Sequence, residues 1–157
     1  MKNRIFFFAV VVLFLLDRYL KIIALQKISA PSAGDFFIIP KFFKFTFFAN
    51  HAGAFSLPFN NIFIIAASAI IIFFLIIFAW RAFKTRRWLF LNGLFLIILG
   101  ALSNLFDRIV YQFVIDYFHL WPISYFNLAD VMIGIGIIIL CWQKFNQRPC
   151  SDCAVKK

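Results

Sequence analysis

Glutamate is absent from this chain of 157 residues: all six of its acidic side chains are aspartates. Without glutamate no H-E-x-x-H zinc site can exist, and His51 and His119, the only two histidines, form no such motif. No metal or other cofactor is expected. There is no G-x-S-x-G elbow, so one class of serine hydrolase lacks its nucleophile signature. Gly134-Ile135-Gly136 is followed by Ile137 rather than an aspartate, which argues against a presenilin-like intramembrane protease; helix packing explains these small residues better. Cysteine is scarce as well. Cys141 falls inside an apolar run, and Cys150 and Cys153 form a lone C-x-x-C, a weak metal or redox signal without a second pair. The tail that carries them, from about residue 145, is expected to be disordered and cytoplasmic, where thiols stay reduced.

Charge is also sparse, at 14% of residues, against 64% hydrophobic and 21% aromatic side chains and a mean hydropathy of +0.94. Soluble domains carry roughly 45 to 50% apolar residues. The composition therefore predicts a mainly α integral membrane protein, a single domain over 1–157 with no internal repeat or linker. The net charge of +10 does not point to nucleic acid, because the bases punctuate the apolar runs instead of clustering on a soluble domain.

Spans are expected at about Ile5 to Leu25, Asn61 to Trp80, Trp88 to Phe106 and Leu128 to Trp142, near the roughly 17 to 25 residues a crossing helix needs; the last is the shortest. Basic residues mark three segments: Lys2 and Arg4, then Arg81, Lys84, Arg86 and Arg87, then Lys144, Arg148, Lys156 and Lys157. The positive-inside tendency places these segments, and so both termini, in the cytoplasm. The longer segments, about Gln26 to Asn60 and Asp107 to Asn127, then face outward and carry strand-like stretches. The basic, apolar N-terminus resembles a secretory signal peptide, but no A-x-A site follows, and Asp17, Arg18 and Lys21 interrupt the run. It is expected to be retained as the first span.

Asp17, Asp107, Asp116 and Asp130 lie in or against apolar runs. A carboxylate near a bilayer centre costs roughly 2.5 to 3.5 kcal/mol on insertion scales, so such acids are expected to be paired and to mark a site. Ile5 to Leu16 rises only about 18 Å as a helix, which carries Asp17 below the outer surface. Lys21, at i+4, can neutralise it or reach up to the interface. A buried ion pair that fixes helix packing is the favoured account of both residues over a direct chemical role. Asn104, Asp107 and Arg108 share a helix face, a cluster able to hold a peptide backbone, to fix a neighbouring carboxylate, or simply to pair at a helix end. Phe42 to Ala49 alternates as a strand does and leads into Asn50-His51-Ala52-Gly53-Ala54-Phe55-Ser56, whose small residues suit either a turn or close approach to a ligand.

Downstream, Val110 to Phe118 is β-branched and aromatic and carries Asp116, while Asn127 reads as the N-cap of the last span with Asp130 in its first turn. Capping alone explains Asp130. Two carboxylates meeting at the membrane surface can instead act as an aspartic pair, one activating water and the other donating a proton. They would share a proton and titrate as a unit, with Asp130 the more often ionised member. A small transporter using buried acids is the competing reading; it needs an acid near the midplane, and only Asp17 is deep enough. The abundance of phenylalanine is the ordinary finding on lipid-facing helices and not by itself a lipid pocket.

Taken together, Asp17-Arg18-Tyr19-Leu20-Lys21, the Asn50 to Ser56 segment, Asn104-Leu105-Phe106-Asp107-Arg108, Val114-Ile115-Asp116-Tyr117 and Phe126-Asn127-Leu128-Ala129-Asp130 resemble the lipoprotein signal peptidase family, bacterial signal peptidase II, over nearly the whole chain. The resemblance implies a four-helix membrane aspartic endopeptidase with a small extracytoplasmic β platform, in the bacterial cytoplasmic membrane. It would act as a monomer among membrane lipids on diacylglyceryl-modified prolipoproteins, cutting on the amino side of the lipidated cysteine. Asp116 and Asp130 match the family's catalytic pair. Asn50, Asn104, Arg108 and Asn127 would line the substrate groove, with Asp17 and Lys21 in support. Such a site, at the outer ends of spans three and four, lies where a lipid-modified peptide emerges. Two departures stand out: Arg18 replaces the family's usual glutamine, and the glycine after Asn50 comes one place later than in the usual Asn-x-Gly-Ala-Ala-Phe.

Overall fold

The computed structural model describes residues 2–29, 36–51 and 60–146. The shifted glycine, Ala52 to Ser56, and the Cys150/Cys153 pair lie outside the described residues, as does the tail beyond 146. In chain order the elements are α1 (Lys2–Ser29), β1 (Phe36–Ile39), β2 (Phe43–Asn50), α2 (Asn61–Lys84), α3 (Trp88–Tyr111), β3 (Val114–Leu120), β4 (Ser124–Phe126) and α4 (Leu128–Asn146). The fold is mainly helical with one small antiparallel sheet in the order β1-β2-β3-β4.

Helices α2, α3 and α4 are long and apolar enough to cross a membrane. Helix α1 is longer, 28 residues, but Asp17, Arg18 and Lys21 interrupt its apolar stretch. In α2 only Ile72 and Ala82 are buried, and its other faces expose apolar side chains such as Ile70, Phe73 and Phe74. Helix α3 is the central one, burying Leu91, Leu94, Leu96, Ile98, Ser103, Asp107 and Arg108 among others. It runs five residues past the expected end at Phe106, so Val110 and Tyr111 are helical and not the start of a strand. Gln112, in the left-handed conformation with φ 66°, stops it.

Without side chains, glycines let α3 and α4 approach closely. A Cβ on Gly100 would lie 2.6 Å from the Ala129 carbonyl oxygen, and one on Gly136 would lie 2.7 Å from that of Gly93. Backbone cannot yield as a side chain can. Gly134, by contrast, has nothing within 4 Å, so of the two glycines read as packing residues only Gly136 packs. Gly100→Ala is expected to destabilise the protein by about 1–3 kcal/mol through overpacking, whereas Gly134→Ala gains up to about 1 kcal/mol of helix propensity. Thermal unfolding of the two variants in detergent micelles checks the contrast.

The sheet packs on α1 through Ile115 and Tyr117, which with Ala24 form a buried cluster flanked by Leu20, Phe45 and Leu128. Strand β2 begins and ends within a residue of the stretch expected from its alternation. Its register with β3 shifts once, from Phe45 opposite Phe118 to Phe48 opposite Asp116. Three steps on β2 thus match two on β3, a bulge. An unbulged pairing would set Ala49 opposite Val114; the extra residue sets Asn50 there instead and turns it to the Asp116 face.

Candidate active site

At the end of α3 away from its Trp88 start, three buried charges, Asp17, Lys21 and Asp107, and the part-buried Arg18 interlock α1 and α3. Asp17 and Lys21 pair at 3.2 Å, and both are 0% exposed. Lys21 does not reach up to an interface: its ammonium turns inward, 2.7 Å from Asp107 and 2.8 Å from the side-chain oxygen Oδ1 of Asn104. Arg18 takes the other Asp107 oxygen at 2.5 Å. Asp17 accepts from Ser103 Oγ at 2.5 Å, from the Tyr117 hydroxyl at 2.8 Å and from the Ala129 amide at 3.1 Å. Burial and the neighbouring Asp17 charge push the Tyr117 phenol up, so it stays a donor to Asp17. Its oxygen also accepts from the Leu128 amide at 3.0 Å.

These contacts explain how α4 is seated. The first-turn amides of a helix lack intrahelical partners; here Leu128 donates to Tyr117, Ala129 to Asp17 and Asp130 to the Asn127 side chain at 3.0 Å. The Asn127 amide donates in return to the Asp130 carboxylate at 3.2 Å. This reciprocal pair is a capping box built from Asn and Asp, so the capping expected from sequence is present, and it leaves the rest of the Asp130 carboxylate exposed to other partners.

One such partner is Asn104, whose amide nitrogen donates to Asp130 at 2.8 Å. Its orientation is forced: an ammonium has no acceptor, so Lys21 fixes the Asn104 oxygen and leaves the nitrogen facing the acid. Asp116 accepts from Asn127 Nδ2 at 2.6 Å and from Asn50 Nδ2 at 2.9 Å. Asn127 therefore touches both carboxylates, and Asp116 feels the charge of Asp130. Burial first, and then that charge, raise Asp116 to about 6, against the opposing effects of Asn50, Asn127 and Lys21.

A cavity of about 1170 Å³ opens beside the acids, lined by apolar residues of α2, α3 and α4 such as Ile71, Ile97 and Ile133, and by Asn50, Asn104, Arg108 and Asp130 as its polar wall. Asp116 is 1% exposed and sits beside the lining residues Asn50 and Val114. The structure thus gathers Asp116, Asp130, Asn50, Asn104 and Asn127 into one hydrogen-bonded group, with Asp17 and Lys21 beneath it. The expected face of Asn104, Asp107 and Arg108 divides: Asn104 serves Asp130, Asp107 turns to α1, and Arg108 borders the cavity, its NH1 3.5 Å from Asn61 Oδ1. Sequence reasoning gave no role to Ser103, Tyr117 or Asn61. Only their neighbours in space mark them out.

The model of the family described as signal peptidase (SPase) II matches residues 9–146. A lipoprotein signal peptidase of Halothermothrix orenii is 35% identical over 149 residues, 93% of this chain and 99% of the relative. That of Microcystis aeruginosa is 37% identical over 151 residues, covering 94% and 96%. Among solved structures, a bacterial membrane enzyme determined by the in meso method at 2.3 Å shares the fold, with a TM-score of 0.63 over 93% of both chains at 20% identity. With a family match over most of its length and relatives of this identity along nearly their whole chains, this protein belongs to the signal peptidase II family.

Proposed function

We propose that this chain removes signal peptides from diacylglyceryl-modified prolipoproteins as an aspartic endopeptidase, cutting on the amino side of the lipidated cysteine, with Asp116 and Asp130 as its acid–base pair. Family membership supports the activity. The observation that carries the assignment of residues is the meeting of two carboxylates on one asparagine, Asn127, beside a large apolar cavity.

The reaction needs a water, a base and an acid. Asp130, facing the cavity at a helix N-terminus where an anion is favoured, takes a proton from water as the water oxygen attacks the scissile carbonyl. Protonated Asp116 gives its proton to the carbonyl oxygen, and the resulting gem-diol collapses as the proton held by Asp130 passes to the leaving nitrogen and one diol hydroxyl returns a proton to Asp116, leaving the carboxylic acid and the free amine. Asn50, Asn104, Arg108 and Asn127 would orient the peptide and the two acids, while the lipid chains lie against the apolar side of the cavity.

In the same reading α1 is a fourth span and the chain one domain, working as a monomer. Antiparallel packing of α3 on α4 brings Arg87 and Lys144 together at the end opposite the acids. Basic loops favour the cytoplasm, so the site would open at the extracytoplasmic face of the bacterial cytoplasmic membrane. The purified chain in detergent is expected to convert a diacylglyceryl-modified prolipoprotein to a product whose new N-terminus is the lipidated cysteine, identified by mass spectrometry. An intact substrate after incubation with well-folded enzyme and lipid would sink the proposal.

The pH dependence follows in sign from Asp116. It must hold a proton to act as the acid, so kcat/KM is expected to fall as pH rises through about 6. The Asn50 donor favours the carboxylate form. Asn50→Ala should therefore move this limb to higher pH, which a profile of kcat/KM against pH will show.

A further inference from the structure

Arg18 lies beneath the proposed acid–base pair and touches neither carboxylate. The layer holds two buried acids, Asp17 and Asp107, against the buried Lys21 and the part-buried Arg18, so its charges cancel. Lys21 has three N–H bonds and four acceptors within reach: Asp17, Asp107, Ser103 and Asn104. Asp107 is the strongest competitor, at 2.7 Å, and Arg18 shares it through the other oxygen at 2.5 Å while also reaching the Ser103 carbonyl and hydroxyl at 3.3 Å. The guanidinium is held in place by the Phe106 ring, 4.5 Å beneath it.

We propose that Arg18 is a positioning residue: by neutralising Asp107 it leaves the Lys21 ammonium free to orient Asn104 toward Asp130, and so sets the pH range of the reaction. Without the guanidinium, one ammonium faces both Asp17 and Asp107. Lys21 is then drawn toward Asp107, the Asn104 amide loses its anchor, and the layer gains a net negative charge. Asp130 is faced by Asp17 and Lys21 from α1, Asn104 and Arg108 from α3, and Asp116 and Tyr117 from β3. Added negative charge there opposes each ionisation of the pair, and the loss of the Asn104 donor acts in the same direction.

The inference rests on the proposed roles of Asp116 and Asp130, so the test includes Asp130→Asn. For Arg18→Gln the whole kcat/KM profile is expected to move to higher pH by about half a unit to one unit. Arg18→Lys, which keeps the charge, should stay near the parent. The charge-balanced double variant Arg18→Gln/Asp107→Asn should return the profile toward the parent's, and it serves as the readout if the single variant does not fold. A merely structural role lowers the rate equally at every pH. A superimposable Arg18→Gln profile, or a double variant shifted from the parent where the single does not fold, overturns the proposal while an inactive Asp130→Asn leaves the acid–base pair standing. An active Asp130→Asn instead overturns the pair itself.

Discussion

Asp116→Asn and Asp130→Asn should each lower cleavage of a lipid-modified prolipoprotein by about 10³-fold or more, in the range general acid–base catalysis supplies, but with different effects on the fold. The amide introduced at position 116 meets two side-chain donors, Asn50 and Asn127. Its oxygen can stay with Asn127 and its NH₂ can face Asn50, whose own amide turns over to accept. Little stability is lost. At position 130 neither partner can adapt. The Asn127 donor there is a backbone amide, and the Asn104 amide cannot turn because Lys21 holds its oxygen at 2.8 Å. An NH₂ must then face a donor, at a cost of about 1–3 kcal/mol for the unsatisfied group. Thermal unfolding of the two inactive variants should therefore separate them, with Asp116→Asn near the parent and Asp130→Asn below it. Equal unfolding midpoints would mean that Lys21 does not pin Asn104; cleavage by either variant at the parent's rate would remove that residue from the reaction.

Much of the fold was legible because membrane helices announce themselves by unbroken apolar runs, and α2, α3 and α4 begin where Asn61, Trp88 and Leu128 were expected to start them. The end of α3 was not legible. Val110 and Tyr111 favour a strand by residue type, but Asp107, bound by Arg18 and Lys21 from α1, keeps the helix going until Gln112 takes a left-handed backbone. Local propensity lost to a contact across about ninety residues of chain.

In the site, the residue types could be named from sequence, but their partners could not. Asn127 and Asp130 form the expected cap, and the same two residues contact the Asn50–Asp116 and Asn104 groups. Capping and chemistry were posed as alternatives, and the geometry allows both at once. The pairing of Asn50 with Asp116 depends on a bulge between Phe45 and Phe48 that no alternation pattern marks. The transport reading rested on Asp17. Its carboxylate accepts from Ser103, Lys21, Tyr117 and the Ala129 amide and is 0% exposed, which leaves no face for a carried ion or proton to enter. Arg18, one of the two departures from the family's usual residues, pairs with Asp107 beneath the site, a contact its position in the sequence does not announce.

Lys21→Met should have the largest effect on stability of any single substitution in this layer. The side chain is nearly isosteric and apolar, so packing is kept and the change isolates the charge. Asp17 and Asp107, both 0% exposed, lose their shared cation. Breaking a buried pair by removing one partner typically costs about 3–5 kcal/mol, because the charge left behind can be neither hydrated nor cheaply neutralised. Arg18 still covers one Asp107 oxygen, and Ser103, Tyr117 and the Ala129 amide still serve Asp17, so the residual burden falls on the second Asp107 oxygen, left with the Ile115 amide at 3.3 Å. Asp107→Asn in the Lys21→Met background should therefore recover part of the loss, although either substitution alone is harmful. The folded fraction of Lys21→Met should also cleave poorly, since the Asn104 oxygen then loses its anchor and the amide no longer holds its NH₂ firmly against Asp130. Unfolding midpoints of the two single variants and the double in micelles give the coupling directly. Additive losses would mean that Lys21 and Asp107 stabilise the fold independently, and the shared-cation account would have to be abandoned.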